Sequence, residues 1–125
     1  MAFTTISQIQ LADPVSGTQI FNSPGQAVTA GAGNGIEVVN DGQTFLLIMN
    51  KGAAGTLSLI TMGTWRGLAI ADIGSITLPA SGTNDGMSIF GPFDTLTCND
   101  PVTSKIRVEL TTGAGGADFW AYRLP

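Results

Sequence analysis

The chain has 125 residues, the size of one domain, and a single core at that length buries roughly two-thirds of the unfolded surface without staples. Only 11% of the residues are charged against 43% hydrophobic, the net charge is −4, and the five cations (Lys51, Arg66, Lys105, Arg107 and Arg123) are scattered. Without a basic stripe no nucleic-acid partner is expected. The single cysteine, Cys98, excludes an intrachain disulfide framework, and the longest apolar run, residues 45–49, is far too short to span a membrane.

Glycine and proline number 17 and 6 and recur too often for a helix of useful length. The opening residues 1–10 carry no basic n-region and no apolar h-region, so no secretory signal is expected. Residues 4–11 alternate imperfectly around Ile6, Ile9 and Leu11, and residues 1–11 are read as an arm or edge strand on a single β domain spanning 1–125. Asp13-Pro14-Val15-Ser16-Gly17 forms a turn, 18–21 a short strand ending at Asn22-Ser23-Pro24-Gly25, and 26–30 the next strand. Gly31-Ala32-Gly33-Asn34-Gly35 reads as a flexible loop. Residues 36–39 and 44–50 flank Asn40-Asp41-Gly42, which predicts a hairpin because Asp and Gly both tolerate positive φ. Residues 44–50 are apolar on both faces, as a central buried strand requires.

After a turn at 51–55, residues 56–61 alternate cleanly. Residues 62–67 form a loop carrying Trp65 and Arg66, 68–73 a loop or strand with a short turn of helix as the alternative, and 75–78 a strand stopped by Pro79. A polar loop follows at 80–86, then a strand at 87–90 ended by Gly91-Pro92, then an irregular stretch at 93–100. Residues 105–111 alternate most clearly, with Ile106, Val108 and Leu110 facing one way and Lys105, Arg107 and Glu109 the other. Residues 112–116 make the last turn, and 118–124 close the fold with Phe119, Trp120 and Tyr122. Eight to ten short, mostly antiparallel strands describe an all-β fold: an antiparallel β-sandwich, jelly-roll-like or immunoglobulin-like, with a small β-barrel as the alternative.

The chain contains no histidine, which removes the commonest general base, the Ser-His and Cys-His pairs and histidine metal sites. Cys98 has Asp94 and Asp100 as sequence neighbours, an arrangement that raises a thiol pKa. Asp13, Asp41, Asp85 and Asp100 sit at turns, where the Asx side chain bonds its own backbone. The glycine-rich stretches 31–35 and 113–116 lack a Walker lysine and a strand–helix setting. No catalytic residue, metal ligand or cofactor is therefore expected, and the chain is not expected to be an enzyme. Trp120 reads as core, whereas Trp65 and Arg66 in a Gly-flanked loop read as contact residues. With Phe3, Ile6 and Ile9 of the N-terminal segment they form the candidate interface set. A surface dominated by Thr, Ser, Asn, Gln and Gly suits a protein whose surface ends against partners.

Arg66-Gly67-Leu68-Ala69-Ile70-Ala71-Asp72, Ile76-Thr77-Leu78-Pro79-Ala80-Ser81-Gly82, Phe90-Gly91-Pro92-Phe93 and the ending Ala121-Tyr122-Arg123-Leu124-Pro125 share a cadence. Together they resemble a group of small all-β proteins encoded beside capsid genes in tailed bacteriophages and prophages. The resemblance covers about the C-terminal half. It implies a virion protein of the capsid decoration (cement) type, on the outer surface of the head. Its partners would then be the major capsid protein and further copies of itself, with a trimer expected at three-fold sites. A tail, spike or head-fibre domain, a shell-forming coat protein, and a carbohydrate-binding or adhesion module presenting Trp65 are the competing expectations.

Overall fold

A computed structural model describes residues 3–6, 8–10, 25–61, 64–65, 68–69 and 73–123. The expected turn at 13–17, the strand at 18–21 and Arg66 lie outside the described residues. The strands are β1 (Phe3–Thr5), β2 (Gln8–Gln10), β3 (Gln26–Val28), β4 (Gly35–Val39), β5 (Thr44–Asn50), β6 (Gly55–Ile60), β7 (Thr64–Trp65), β8 (Leu68–Ala69), β9 (Ile73–Leu78), β10 (Met87–Phe90), β11 (Lys105–Thr112) and β12 (Ala117–Arg123). A single helical turn, α1 (Thr95–Cys98), lies between β10 and β11, in the stretch expected to be irregular.

Two sheets face each other. The first runs β1-β4-β11-β6-β9 and the second β10-β5-β12-β2, with β3 also on β12. All pairings in them are antiparallel except two short ones, β1 with β4 and β2 with β12. The chain is thus the all-β sandwich its alternation calls for. From β3 onward it visits the sheets in turn: β3 second, β4 first, β5 second, β6 and β9 first, β10 second, β11 first and β12 second.

The period-two pattern explains the core. Ile36, Val38, Leu57, Leu59, Ile106, Val108 and Leu110 project inward from the first sheet to meet Leu46, Ile48, Phe119 and Ala121 from the second. Each such side chain contributes about 1.5–3 kcal/mol when fully buried. A slip of one residue would turn the whole set outward, so burial pins the register.

The outer faces differ. The first sheet presents Thr5, Glu37, Lys105 and Arg107, whereas on the second sheet's face away from the first, buried Leu47, Trp120 and Tyr122 form a separate cluster with partly buried Phe45, Met49 and Met87. Phe45 and Tyr122 stack there with ring centroids 5.7 Å apart. Trp120 is buried, as its apolar surroundings in the sequence imply.

The expected hairpin at Asn40-Asp41-Gly42 is not formed. β4 pairs with β1 and β11, and β5 with β10 and β12, so these residues carry the chain from one sheet to the other. Gly42 adopts the positive φ that the motif implies, +91°. The Asn40 side chain, however, points into the protein and bonds to the β10–β11 connection. At the other end of β5, Asn50 donates to the carbonyls of Ala53 at 2.7 Å and Pro79 at 2.9 Å, tying the β5–β6 and β9–β10 loops together.

Candidate interaction surface

Phe3 and Ile6, two of the residues singled out in the sequence, lie on and just after β1 and are each already engaged within the chain. Thr5 Oγ1 donates to Glu37 Oε1 at 2.8 Å, and the Ile6 amide donates to the Glu37 carbonyl at 2.9 Å. Arg107 Nε lies 3.1 Å from Glu37 Oε2 and Lys105 Nζ 3.6 Å from Oε1. The Arg107 guanidinium also sits over the Phe3 ring, 5.3 Å from its centroid. Ile6 packs against the core. Ile9 lies in β2, in register with Tyr122 of β12. Trp65 is on β7, opposite Leu68 and beside α1, on a different element from Phe3. Arg66 lies outside the described residues.

The Thr5 hydroxyl, Arg107 and Lys105 together hold the Glu37 carboxyl below its ordinary value of 4.5, outweighing the opposing effect of burial. The native state therefore prefers the ionised form, and between the folded pKa and 4.5 the unfolded chain binds more protons. This stabilisation is complete above the unfolded value and is lost as pH falls through the folded one. Glu37→Gln is expected to flatten the acid limb of stability below about pH 4.5, with β1 loosened at every pH. Urea midpoints at pH 7 and pH 3 for both proteins measure it; identical acid limbs would remove Glu37 from the account.

A second region was not singled out by sequence reasoning. Among the described residues the large hydrophobics most exposed to solvent are Val102 (88%), Ile89 (72%), Leu96 (67%) and Val39 (45%). Leu96 and Val102 lie between the end of β10 and the start of β11, Ile89 lies on β10 itself, and Val39 lies at the end of β4, next to the residue that binds this connection. That residue is Asn40, buried with Asn99. Asn40 Nδ2 donates to Asn99 Oδ1 at 2.7 Å and to the Phe93 carbonyl at 3.1 Å, and Asn99 Nδ2 donates back to the Asn40 carbonyl at 2.7 Å. Asn40 Oδ1 accepts from the Gly42 amide at 3.0 Å, and the Asn40 amide donates to the Ser104 carbonyl at 2.9 Å. Every polar atom of both amides has a partner, the condition under which a buried network rigidifies its loops.

Local caps complete the connection. Asp94 accepts from the Leu96 amide at 3.3 Å and from Thr97 Oγ1 at 2.6 Å, and Asp100 accepts from the Val102 amide at 2.9 Å. These donors hold both carboxyls below their ordinary range. The signal legible in the sequence was the presence of Leu96 and Val102 among Asp, Asn, Thr and Pro, where turn residues alone suffice.

Behind the connection lies a groove of about 500 Å³ between β9 and β10, the outer strands of the two sheets. Leu59, Ile76, Phe90, Pro92, Phe93 and Cys98 line it, with Asp94 and Thr97 at its rim. Phe90 and Phe93 pack edge to face at 5.3 Å. Burial, and then the Asp94 charge, push the Cys98 thiol up from its ordinary value, so it is held as the thiol rather than as a nucleophilic thiolate. Among the described residues no three His, Cys, Asp or Glu side chains cluster as metal ligands would. What the groove offers is apolar contact surface.

Of the five cations, Lys51 pairs with Asp118 at 3.1 Å, Lys105 and Arg107 with Glu37, and Arg123 with Asp41. The fifth, Arg66, lies outside the described residues. No family model matches the chain, and no curated protein and no solved structure matches it.

Proposed function

We propose that this protein is a structural virion protein of the decoration type, seated on the outer surface of a phage head and bridging neighbouring major capsid subunits. The observation that carries the reading is the exposure of Leu96 and Val102 on a connection made rigid by Asn40 and Asn99, with exposed Ile89 on β10, the strand that leads into it. Apolar groups at the tips of well-held loops are a means of binding another protein surface, since they present buriable area without ordering costs. The pairing of Lys51, Lys105, Arg107 and Arg123 within the chain supports the same reading, because docking then desolvates few uncompensated charges. The alternation of strands between the sheets supports a jelly roll, with its two Greek keys. The resemblance of residues 66–82, 90–93 and 121–125 to small head proteins of tailed phages supplies the identity of the partner.

Such a protein stabilises the assembled shell because it binds that state alone. It needs no catalytic group. Copies gather at a capsid symmetry axis, and a trimer at three-fold sites is the arrangement proposed. The test is light scattering behind size exclusion, on the protein alone and with expanded capsids lacking it. Co-elution at a fixed ratio per capsid is expected. A stable monomer that ignores capsids would overturn the reading in favour of a tail part or a glycan-binding module.

A further inference from the structure

The two sides of the sandwich are finished differently. On one side the segment from β1 to β2 runs from the edge of the first sheet to the edge of the second, with Ile6 packed on the core between them. On the other side β9 and β10 are the outermost strands, and among the described residues nothing pairs with their outward edges. Proteins usually protect such an edge with a charge, a proline or a bulge. β10, Met87-Ser88-Ile89-Phe90, has no charge and no proline, and its pairing with β5 runs without a register shift. Ile89 stands exposed on this edge, and the groove beside it reaches inward to Leu59 and Ile76. Its volume falls within the range of binding clefts, ~300–1,000 Å³.

Charge narrows the occupant. The charged residues lining the groove and the adjoining notch are Asp94 and Asp41. Asp41 is paired with Arg123, while among the described residues Asp94 has no ion-pair partner. Among the described residues the rim thus carries one exposed, ionised carboxylate with no ion-pair partner, beside an apolar floor.

We propose that the capsid partner contributes an extended apolar segment, flanked by a lysine or arginine, that adds as a strand along β10, with its side chains in the groove and its cation at Asp94. Backbone pairing to a free edge supplies affinity, and alternate side chains in the groove supply specificity. The assignment rests on the decoration reading for the identity of the partner.

The experiment is co-sedimentation of the full chain with expanded capsids lacking it, combined with amide hydrogen exchange of the bound protein. The wild type is compared with Ile89→Lys, Asp94→Lys and, as a surface control away from the groove, exposed Ala32→Ser, each first shown to fold by circular dichroism. Ile89→Lys and Asp94→Lys are expected to weaken binding at least tenfold and Ala32→Ser less than twofold, with the amides of 87–90 newly protected on the capsid. If the wild type binds and both lysine variants bind equally well, the strand-addition site is wrong while the decoration reading survives. If the wild type binds no capsid, the decoration reading fails, and the named partner with it. Protection of 87–90 on concentrating the protein alone would make the occupant a second copy and overturn the assignment.

Discussion

Asn40→Ala is expected to lower the free energy of unfolding by about 3 kcal/mol, a large share of the 5–15 kcal/mol that holds an ordinary domain together. The substitution removes no apolar packing of consequence. It leaves the Phe93 carbonyl, the Gly42 amide and Asn99 Oδ1 without their partner, and each orphaned buried group costs about 1–3 kcal/mol, less where water can reach it. Asn40→Asp is the stricter test, because it keeps the shape and the acceptor and removes only the two donated bonds. It is expected to cost nearly as much at neutral pH, since a carboxylate would then face Asn99 Oδ1 and the Phe93 carbonyl. Urea unfolding measures both. Hydrogen exchange should show the loss spread over 91–104, the connection that carries Leu96 and Val102. A cost below about 1 kcal/mol for both variants would mean that the loops are held by something else.

Gly35→Ala is expected to be worse, at about 4 kcal/mol or more, or to yield no soluble protein. A Cβ on Gly35 would lie 1.9 Å from the Val108 carbonyl oxygen and 2.9 Å from the Glu109 Cα. Both are backbone atoms of the neighbouring strand, so no side chain can swing aside. β4 and β11 would have to part at the point where Ile36, Val108 and Leu110 fill the core. Gly82→Ala provides the comparison, because nothing lies within 4 Å of a Cβ built there, and it should change stability by less than about 0.5 kcal/mol. Thermal unfolding of the two variants side by side is sufficient. Equal and small effects would show that β4 and β11 can separate at little cost.

At these two positions local sequence pattern and tertiary structure part. Gly35 stands in a run of glycine and alanine that reads as flexible, yet it begins a strand and is needed for a close approach of backbone. Asn40 stands in a hairpin motif, yet its side chain bonds Asn99, 59 positions away. The local chemistry of the motif holds at Gly42, which takes positive φ, whereas the loop expected over 31–35 gives way at Gly35, where β4 begins. What could not be judged was the distant partner, because glycine's use and an amide's bonds depend on what folding brings near. The candidate surface escaped notice for the same reason. Leu96 and Val102 stand in irregular sequence, where no period tells an inward residue from an outward one. Phe3 and Ile6 were noticed because their segment is apolar, and apolarity alone does not separate a free edge from one already paired with β4.

By itself the sequence determined the class of fold. The period-two alternation of β11, the apolar faces of β5 and the frequent glycines allow strands and turns and little else, and two faces of such strands can only be buried against each other. It determined the inward set Ile106, Val108 and Leu110, because a strand places alternate side chains on opposite faces wherever it lies. Only the tertiary structure decided which strands are neighbours, that β4 and β5 part into different sheets, that β1, Ile6 and β2 lie along one side of the sandwich, and that β9 and β10 leave a groove on the other. Those are questions of long-range pairing. Their answer lies in which buried polar groups, such as Asn40 and Asn99, can satisfy one another across the fold.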